Sequence, residues 1–394
     1  MKILILNHNY ERFGTYWRCY FLGKNLAKNG HKVTMLCASG KNIDLLVRRI
    51  KESDNFTIYT LPRVRYHTYM SGQLILRLPF YLFFTIFTKY DLLYAFTVAQ
   101  PQIGIPAMIA KVFLRKKRVF VDWDDLWGGG FANSHMSIIN KGLTWSEAYF
   151  PKFADAVTHV SQKIHDRAIQ VGIPESKLRY LPNGANHREI KVYDKISSRL
   201  KVGLNINENI ILSMGNTYTY SLDILLKTFM GVLKRLPDSR LVFIGNTKIP
   251  KDKEPFYRNI INNITFAGYV KQPELSYYLA SADVLALPMD NDPIEQARFP
   301  IRLGDYLSAG RPIVSNAVGE VKHYLEKYNA GLTSKPRDVK GYSDNIIRVL
   351  KDDKLAKRIS KNARNLAEGE LDWQRISQKL LHVYKSVMLK QLDL

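Results

Sequence analysis

Cysteine is almost missing from this chain. Cys19 and Cys37 are the only two in 394 residues. Their spacing fits neither a metal knuckle nor a CxxC pair, so nothing calls for a disulfide framework, thiol redox chemistry or an oxidising compartment. Long hydrophobic runs are missing too. The most apolar stretch, residues 74–87, stops short of 18 residues and contains Arg77 and Pro79, which excludes a transmembrane span. The apolar start, residues 1–7, is too short for a signal peptide. The expected address is therefore the cytoplasm, with the inner face of a membrane as a peripheral location. Acidic residues are in deficit: 35 Asp and Glu stand against 58 Lys and Arg, a formal net charge of +23. The excess is spread over both halves, so it is a property of the whole surface and not of a basic tail. It implies anionic partners: phosphorylated ligands, an acidic membrane surface or nucleic acid. No GxGxxG is present, which removes the dinucleotide fingerprint.

What is there is a regular alternation of buried strands and amphipathic helices. A length of 394 residues exceeds the usual single core, and 46% hydrophobic with 24% charged content describes a globular protein. Strands are expected at residues 3–6, 32–36, 56–61, 92–95, 118–121, 156–160 and 178–181. Helices are expected at 16–29, through the 70s and 80s, near 106–114 and into the 150s. A second series begins near residue 209, with strands at 210–214, 241–244, 264–266 and 284–287 and a helix at 222–236. Each series predicts an α/β, doubly wound parallel sheet, whose ligands gather at the carboxyl ends of the strands. The aromatic helix in the 70s and 80s either packs on its sheet or lies in a lipid interface beside Arg63, Arg65, Arg77 and Lys89. The run Arg115-Lys116-Lys117-Arg118 could join that surface.

Three stretches carry candidate chemistry. Asp122-Trp123-Asp124-Asp125-Leu126-Trp127, followed by Gly128-Gly129-Gly130, leaves a buried strand with three carboxylates and two indoles. Such a loop is either a capped turn or a sugar site, since apolar ring faces stack on indoles while hydroxyls bind carboxylates. Asp122 and Asp124 also match a bare DxD pattern, which could hold a divalent cation. Gly14, with Thr15 and Tyr16, opens the first helix, where free N–H groups either bind an anion or make a plain turn. The third stretch is Arg298–Pro312, read as a helix over about residues 299–309 with Pro300 in its first turn and a stop at Gly310 and Pro312. On that helix Arg298, Arg302 and Asp305 share a face. Two guanidiniums and a carboxylate suit a ligand with a phosphate and a vicinal diol, such as a nucleotide sugar. The alternative is a solvated Arg302–Asp305 ion pair.

Thr158-His159-Val160-Ser161, then Val171-Gly172-Ile173-Pro174 and Leu181-Pro182-Asn183-Gly184-Ala185-Asn186, resemble the retaining nucleotide-sugar glycosyltransferases of family 4. The order continues through Gly215, Gly245, Ile264-Thr265-Phe266-Ala267-Gly268, Ala282-Asp283-Val284, residues 299–312, Ala317-Val318-Gly319-Glu320 and Asp372-Trp373. The resemblance is good over about residues 150–390 and looser before. It implies the GT-B fold: two doubly wound Rossmann-like domains facing a cleft, at residues 1–187 and 188–371, with residues 372–394 as a helix crossing back to the first domain. It also implies that Asp305 is the carboxylate on the nucleotide ribose. Several family positions differ. The family's other carboxylate falls on Ala297, leaving Glu295 or Asp292 as substitutes. Its diphosphate-holding Arg and Lys fall on Asn216 and Tyr220, and its Gly between the two carboxylates falls on Pro300. Its first-domain active-site His corresponds to Asp124.

The expected function is thus a glycosyltransferase of hexosyltransferase type, moving sugar from a nucleoside diphosphate sugar to a hydroxyl of a glycan or lipid-linked acceptor with retention. Neither a metal nor a cofactor is expected, and nucleic acid is not an expected partner. Asp124, Asp122, Arg302 and Arg298 are the expected catalytic residues. Asp305, Gly14, Asp125, Trp123, Gly215, Asn216, Glu295, Phe299 and Ile301 are the expected substrate-binding ones. Other readings are a nucleotide-sugar epimerase on the same fold, a metal-dependent transferase using Asp122 and Asp124, and a non-catalytic basic protein for anionic lipid or nucleic acid.

Overall fold

The computed structural model describes residues 1–64, 73–114, 118–135, 137–215 and 219–389. It divides into two compact units. Unit 1 comprises Met1–Asn183, Ala297–Phe299 and Trp373–Leu394; unit 2 comprises Gly184–Gln296 and Pro300–Asp372.

Unit 1 contains, among the described residues, strands β1 (Lys2–Tyr10), β2 (Lys32–Ala38), β3 (Ile43–Asp44), β4 (Arg48–Ser53), β5 (Phe56–Leu61), β6 (Arg63–Val64), β7 (Leu92–Phe96), β8 (Arg118–Trp123), β9 (Ala156–His159) and β10 (Leu178–Tyr180). Eight of them form one sheet in the order β10-β9-β8-β7-β1-β2-β5-β4, while β3 and β6 pair separately. All neighbours in the large sheet are parallel except β4 against β5. Ile3, Leu4, Ile5 and Leu6 are all buried, as a strand covered on both faces requires. The antiparallel β4 lies outside the alternation expected from the sequence. Its residues Arg48, Arg49, Lys51 and Glu52 are exposed, and such charge keeps an edge strand from pairing with another chain.

The helix Gln73–Phe87 packs one side inward. Tyr81 donates to the Asn7 carbonyl at 2.6 Å, and Arg77 donates to the His8 carbonyl at 3.0 Å. Its other side presents Phe83, Ile86 and Phe87 to solvent. Both readings of this helix therefore find a side that suits them. Arg65 and the 115–117 part of the basic run lie outside the described residues. Among the described residues no helix is long and apolar enough to cross a membrane.

Unit 2 contains β11 (Asn209–Met214), β12 (Ser239–Ile244), β13 (Ile264–Gly268), β14 (Val284–Leu287), β15 (Ile313–Ser315) and β16 (Leu332–Thr333). They form a fully parallel sheet in the order β13-β12-β11-β14-β15-β16. In both units the chain starts at a central strand, builds outward on one side, and then returns to the other. The strand order therefore reverses between β1 and β7 in unit 1 and between β11 and β14 in unit 2. Open α/β sheets bind ligands in the crevices at such reversals, outside the carboxyl ends of the strands.

The helix expected over about 299–309 runs from Ile301 to Ala309 and stops at Gly310 as expected, while a separate short helix, Pro293–Ala297, precedes it. Pro300 is the cap residue before the Ile301–Ala309 helix, in an extended conformation with ψ of 130°. A residue preceding proline is itself pushed away from helical geometry, which breaks the chain at Phe299. Arg298 consequently sits on neither helix. The shared face of Arg298, Arg302 and Asp305 does not form.

Candidate active site

The reversal in unit 1 is built around the carboxylates that follow β8. Asp122, the penultimate strand residue, points into the core and is fully buried. Arg18, from the first helix Tyr16–Lys28, meets it with two parallel bonds, Nε to Oδ1 at 2.8 Å and Nη2 to Oδ2 at 2.9 Å. The remaining guanidinium donors reach the carbonyls of Leu181 and Pro182 and the Asn183 side-chain oxygen, at 2.8, 3.1 and 2.9 Å. Tyr94 and Thr158 also donate to Asp122, at 2.6 and 2.5 Å. This corrects the catalytic expectation for Asp122, whose charge and lone pairs are spent inside the unit. It weakens the DxD reading for the same reason. Arg18 carried one signal in the sequence, a charge on the inward helical face that also holds Leu22.

Asp124, two residues on, reaches the carboxyl edge of the sheet. Thr15 Oγ1 donates to its Oδ2 at 2.6 Å and Thr97 Oγ1 to its Oδ1 at 2.9 Å. Burial and the neighbouring Asp122 push its carboxyl above the usual range, against the opposing influence of the two hydroxyls and Arg18. Half-buried Asp125 is pushed up as well, by burial first and then by Asp124, while Arg298 opposes the rise. Arg298 thus belongs electrostatically to the acidic loop of unit 1. Sequence reasoning did not single out Thr97. It stands directly after β7 with φ of +57°.

Trp123 corrects a second expectation. As a strand residue it alternates into the core and is buried there among Leu6, Ala95 and Val121, so it offers no face to a sugar ring. Trp127 is half-buried, with its ring edge-on to His8 at 6.1 Å between centroids. The start of the glycine run packs against Glu147. This buried carboxylate accepts from the backbone N–H of Trp127 at 2.6 Å and of Gly128 at 3.0 Å. The N–H groups of Trp127, Gly128 and Gly130 are already bonded within the unit. Gly14 adopts φ of +56°, and a Cβ there would come within 2.7 Å of Asn9 Nδ2, so the turn into the first helix needs glycine whatever it binds.

In unit 2 the reversal is marked by Gly215, directly after β11, with φ of +103°. Arg302 reaches this point from the Ile301–Ala309 helix and donates to the Met214 carbonyl at 3.1 Å. A Cβ on residue 215 would lie 3.3 Å from Arg302 Nη1. Tyr306, one turn on, accepts from Met214 N–H at 2.6 Å through its hydroxyl and so ties the same helix to the same strand end. Asp305 is half-buried, and its carboxyl is pushed up to about 7 by burial and then by Glu189. Glu295 is buried on the Pro293–Ala297 helix, its N–H bonded to Asp292 Oδ1 at 2.8 Å. Ile301 opens the Arg302 helix. Phe299 is grouped with unit 1, where its carbonyl accepts from Asn183 Nδ2 at 2.5 Å, and Ala297 is buried in the same unit's core. Asn216 lies outside the described residues.

Two parallel α/β units, each with its strand order reversing beside the first strand, define the GT-B class of fold. Residues 14–189 match the model "Glycosyltransferase Family 4", and residues 194–366 match "Glycosyl transferases group 1". The chain belongs to the glycosyltransferases of family 4. Its relatives are distant. A glycogen synthase of Mycobacterium tuberculosis is 27% identical over 125 residues, which cover 32% of this chain and 29% of that protein. The chain thus spans under a third of the length of that relative. Among solved structures, sucrose-phosphate synthase from Thermosynechococcus elongatus superposes with a TM-score of 0.76 at 18% identity, covering 99% of both chains. Anabaena HepE in complex with UDP-glucose gives 0.73 at 18% identity, covering 98% of this chain and all of that one. At these identities the likeness is one of fold.

Proposed function

We propose that the chain transfers a hexosyl group from a nucleoside diphosphate sugar to a hydroxyl of a glycan or lipid-linked acceptor, with retention of configuration and without a required metal. Unit 2 takes the nucleotide. The observation that carries this reading is Arg302, whose guanidinium stands at the carboxyl end of β11 beside Gly215. A diphosphate at that strand end finds a fixed cation and a backbone without a side chain in the way. Family members place such charge after this strand; here a helix supplies it. Asp305, one turn along from Arg302, accepts from the ribose hydroxyls.

Unit 1 takes the acceptor, with Asp124 accepting a hydrogen bond from the hydroxyl to be glycosylated. The transition state separates a positive sugar from a negative leaving diphosphate, so Arg302 contributes most as that charge develops. Exposed Phe83 and Phe87, on a strongly basic protein, support peripheral contact with an anionic membrane and hence a lipid-linked acceptor.

The test is calorimetry with UDP, the nucleotide of the donor held by Anabaena HepE, with GDP and ADP as alternatives. Arg302→Ala should weaken binding of the preferred nucleotide by about 10- to 100-fold, the loss of one charge-assisted bidentate contact. Unchanged binding would remove Arg302 from the diphosphate.

A further inference from the structure

Two residues from different elements touch Asp124, and one of them is held in a costly backbone conformation. Thr15 directly precedes the Tyr16–Lys28 helix with helical dihedrals, φ of −56° and ψ of −16°, and its side chain makes no capping bond to the backbone. Its hydroxyl is turned to Asp124 Oδ2 at 2.6 Å. Thr97 is β-branched yet held in the left-handed region, which persists only where the surroundings over-determine it. Three bonds do so: its N–H donates to the Asp122 carbonyl at 3.1 Å, its carbonyl accepts from Gln100 N–H at 3.0 Å, and its hydroxyl donates to Asp124 Oδ1 at 2.9 Å. One oxygen of Asp124 is thus held from the β1 side of the reversal and the other from the β7 side. A strained backbone held in place beside a carboxylate that is gripped from both sides of a strand-order reversal marks a functional site more often than a packing accident.

We propose that Thr15 and Thr97 are positioning residues that hold Asp124 in one orientation and in its ionised form, ready to accept from the acceptor hydroxyl. The inference rests on the acceptor role given to Asp124 above. The charges facing that carboxylate are Asp122 and Asp125 on its own segment, and Arg18 from the first helix, where the Cys19 thiol also lies; Arg298 acts on Asp125. Burial and Asp122 both push the Asp124 carboxyl up, and Arg18, although paired with Asp122, offsets only part of that. The two hydroxyls are then the neutral groups that favour the anion, each using one lone pair and leaving the other for a ligand.

The experiment reads Asp124 directly. Aspartate-labelled protein is titrated by carbon NMR, with the Asp124 signal assigned by its loss in Asp124→Asn, and pH profiles of UDP-glucose turnover are recorded alongside. Thr97→Val removes the hydroxyl and should move the Asp124 midpoint upward by about half to one pH unit, with the acid limb of kcat/KM following. Thr97→Ser keeps the hydroxyl and should titrate as the parent does. Thr97→Gly relieves the backbone and should unfold no earlier than the parent while showing the shifted midpoint, a pattern a merely structural role does not produce. Thr15→Val should shift the midpoint in the same direction. An unmoved midpoint in Thr97→Val and Thr15→Val overturns the inference while leaving Asp124 its role. Parental turnover in Asp124→Asn overturns the acceptor reading, and the inference with it.

Discussion

Arg18 and Asp122 form a two-pronged ion pair at the centre of unit 1, at 2.8 and 2.9 Å, with neither side chain exposed. The guanidinium has a partner for each of its five N–H groups. A pair so fully satisfied is expensive to break by halves, because the survivor is left as a buried charge. Asp122→Ala should therefore cost about 3–5 kcal/mol of unfolding free energy, measured by urea denaturation. Arg18→Met should cost a similar amount. The double variant should be more stable than the sum of the two losses predicts, since neither charge then remains. Strict additivity would show that the pair is not a coupled unit.

Asp305 gives a pH dependence with a definite sign. Its folded carboxyl is pushed up to about 7 by burial and Glu189. Without ligand, its contribution to folding is fully present at low pH and is lost as pH rises from about 4 through about 7. In the proposed complex the ribose hydroxyls donate to the ionised form, so binding has to release that proton below the midpoint. Nucleoside diphosphate affinity should then rise between pH 6 and 8, by up to about tenfold per pH unit at the acid end, and level off above. Calorimetry in buffers of different ionisation enthalpy would count the proton. Asp305→Asn should lower the affinity and remove the slope, while Glu189→Gln should move the slope to lower pH. A pH-independent affinity in the parent protein takes Asp305 off the ribose.

The backbone plan was legible in the residues, and the site only in part. Buried runs such as Ile3–Leu6 and Val119–Val121 have no other stable home than a covered parallel strand, and the helices between them have one apolar face. The charged β4 carries no such run, because an edge strand is held by its neighbour's backbone and needs no apolar face. The acidic loop was found as a composition, but composition does not say which carboxylate faces in. That is fixed by strand alternation together with a partner more than 100 residues away, Arg18. Pro300 was read as a helix starter, and its effect on the preceding residue, which removes Arg298 from the helix, was the stronger one. Thr15 is legible in the sequence only as part of the turn that opens the first helix, and Thr97 has no sequence signal, since their convergence on one carboxylate is visible only once Asp124 is seen between them.

Glu147 offers the last test, because it decides whether the Gly128-Gly129-Gly130 loop is scaffold or ligand site. Its carboxylate takes the N–H groups of Trp127 and Gly128 and a bond from Arg167 at 3.3 Å. A Cβ on residue 128 would come within 2.6 Å of both Glu147 Oε2 and Arg167 Nη2, so a side chain there would displace this ion pair. Glu147→Gln keeps the size but exchanges one acceptor oxygen for a donor, leaving one N–H opposed and Arg167 without its counter-charge. A loss of about 1–3 kcal/mol in unfolding free energy is expected, with UDP affinity unchanged. Glu147→Ala should cost at least as much and loosen the 126–130 loop, which hydrogen exchange at the Trp127 and Gly128 amides would report. If the loop instead binds an anion in the working protein, Glu147 competes with that anion, and Glu147→Ala tightens phosphate binding rather than merely destabilising the fold.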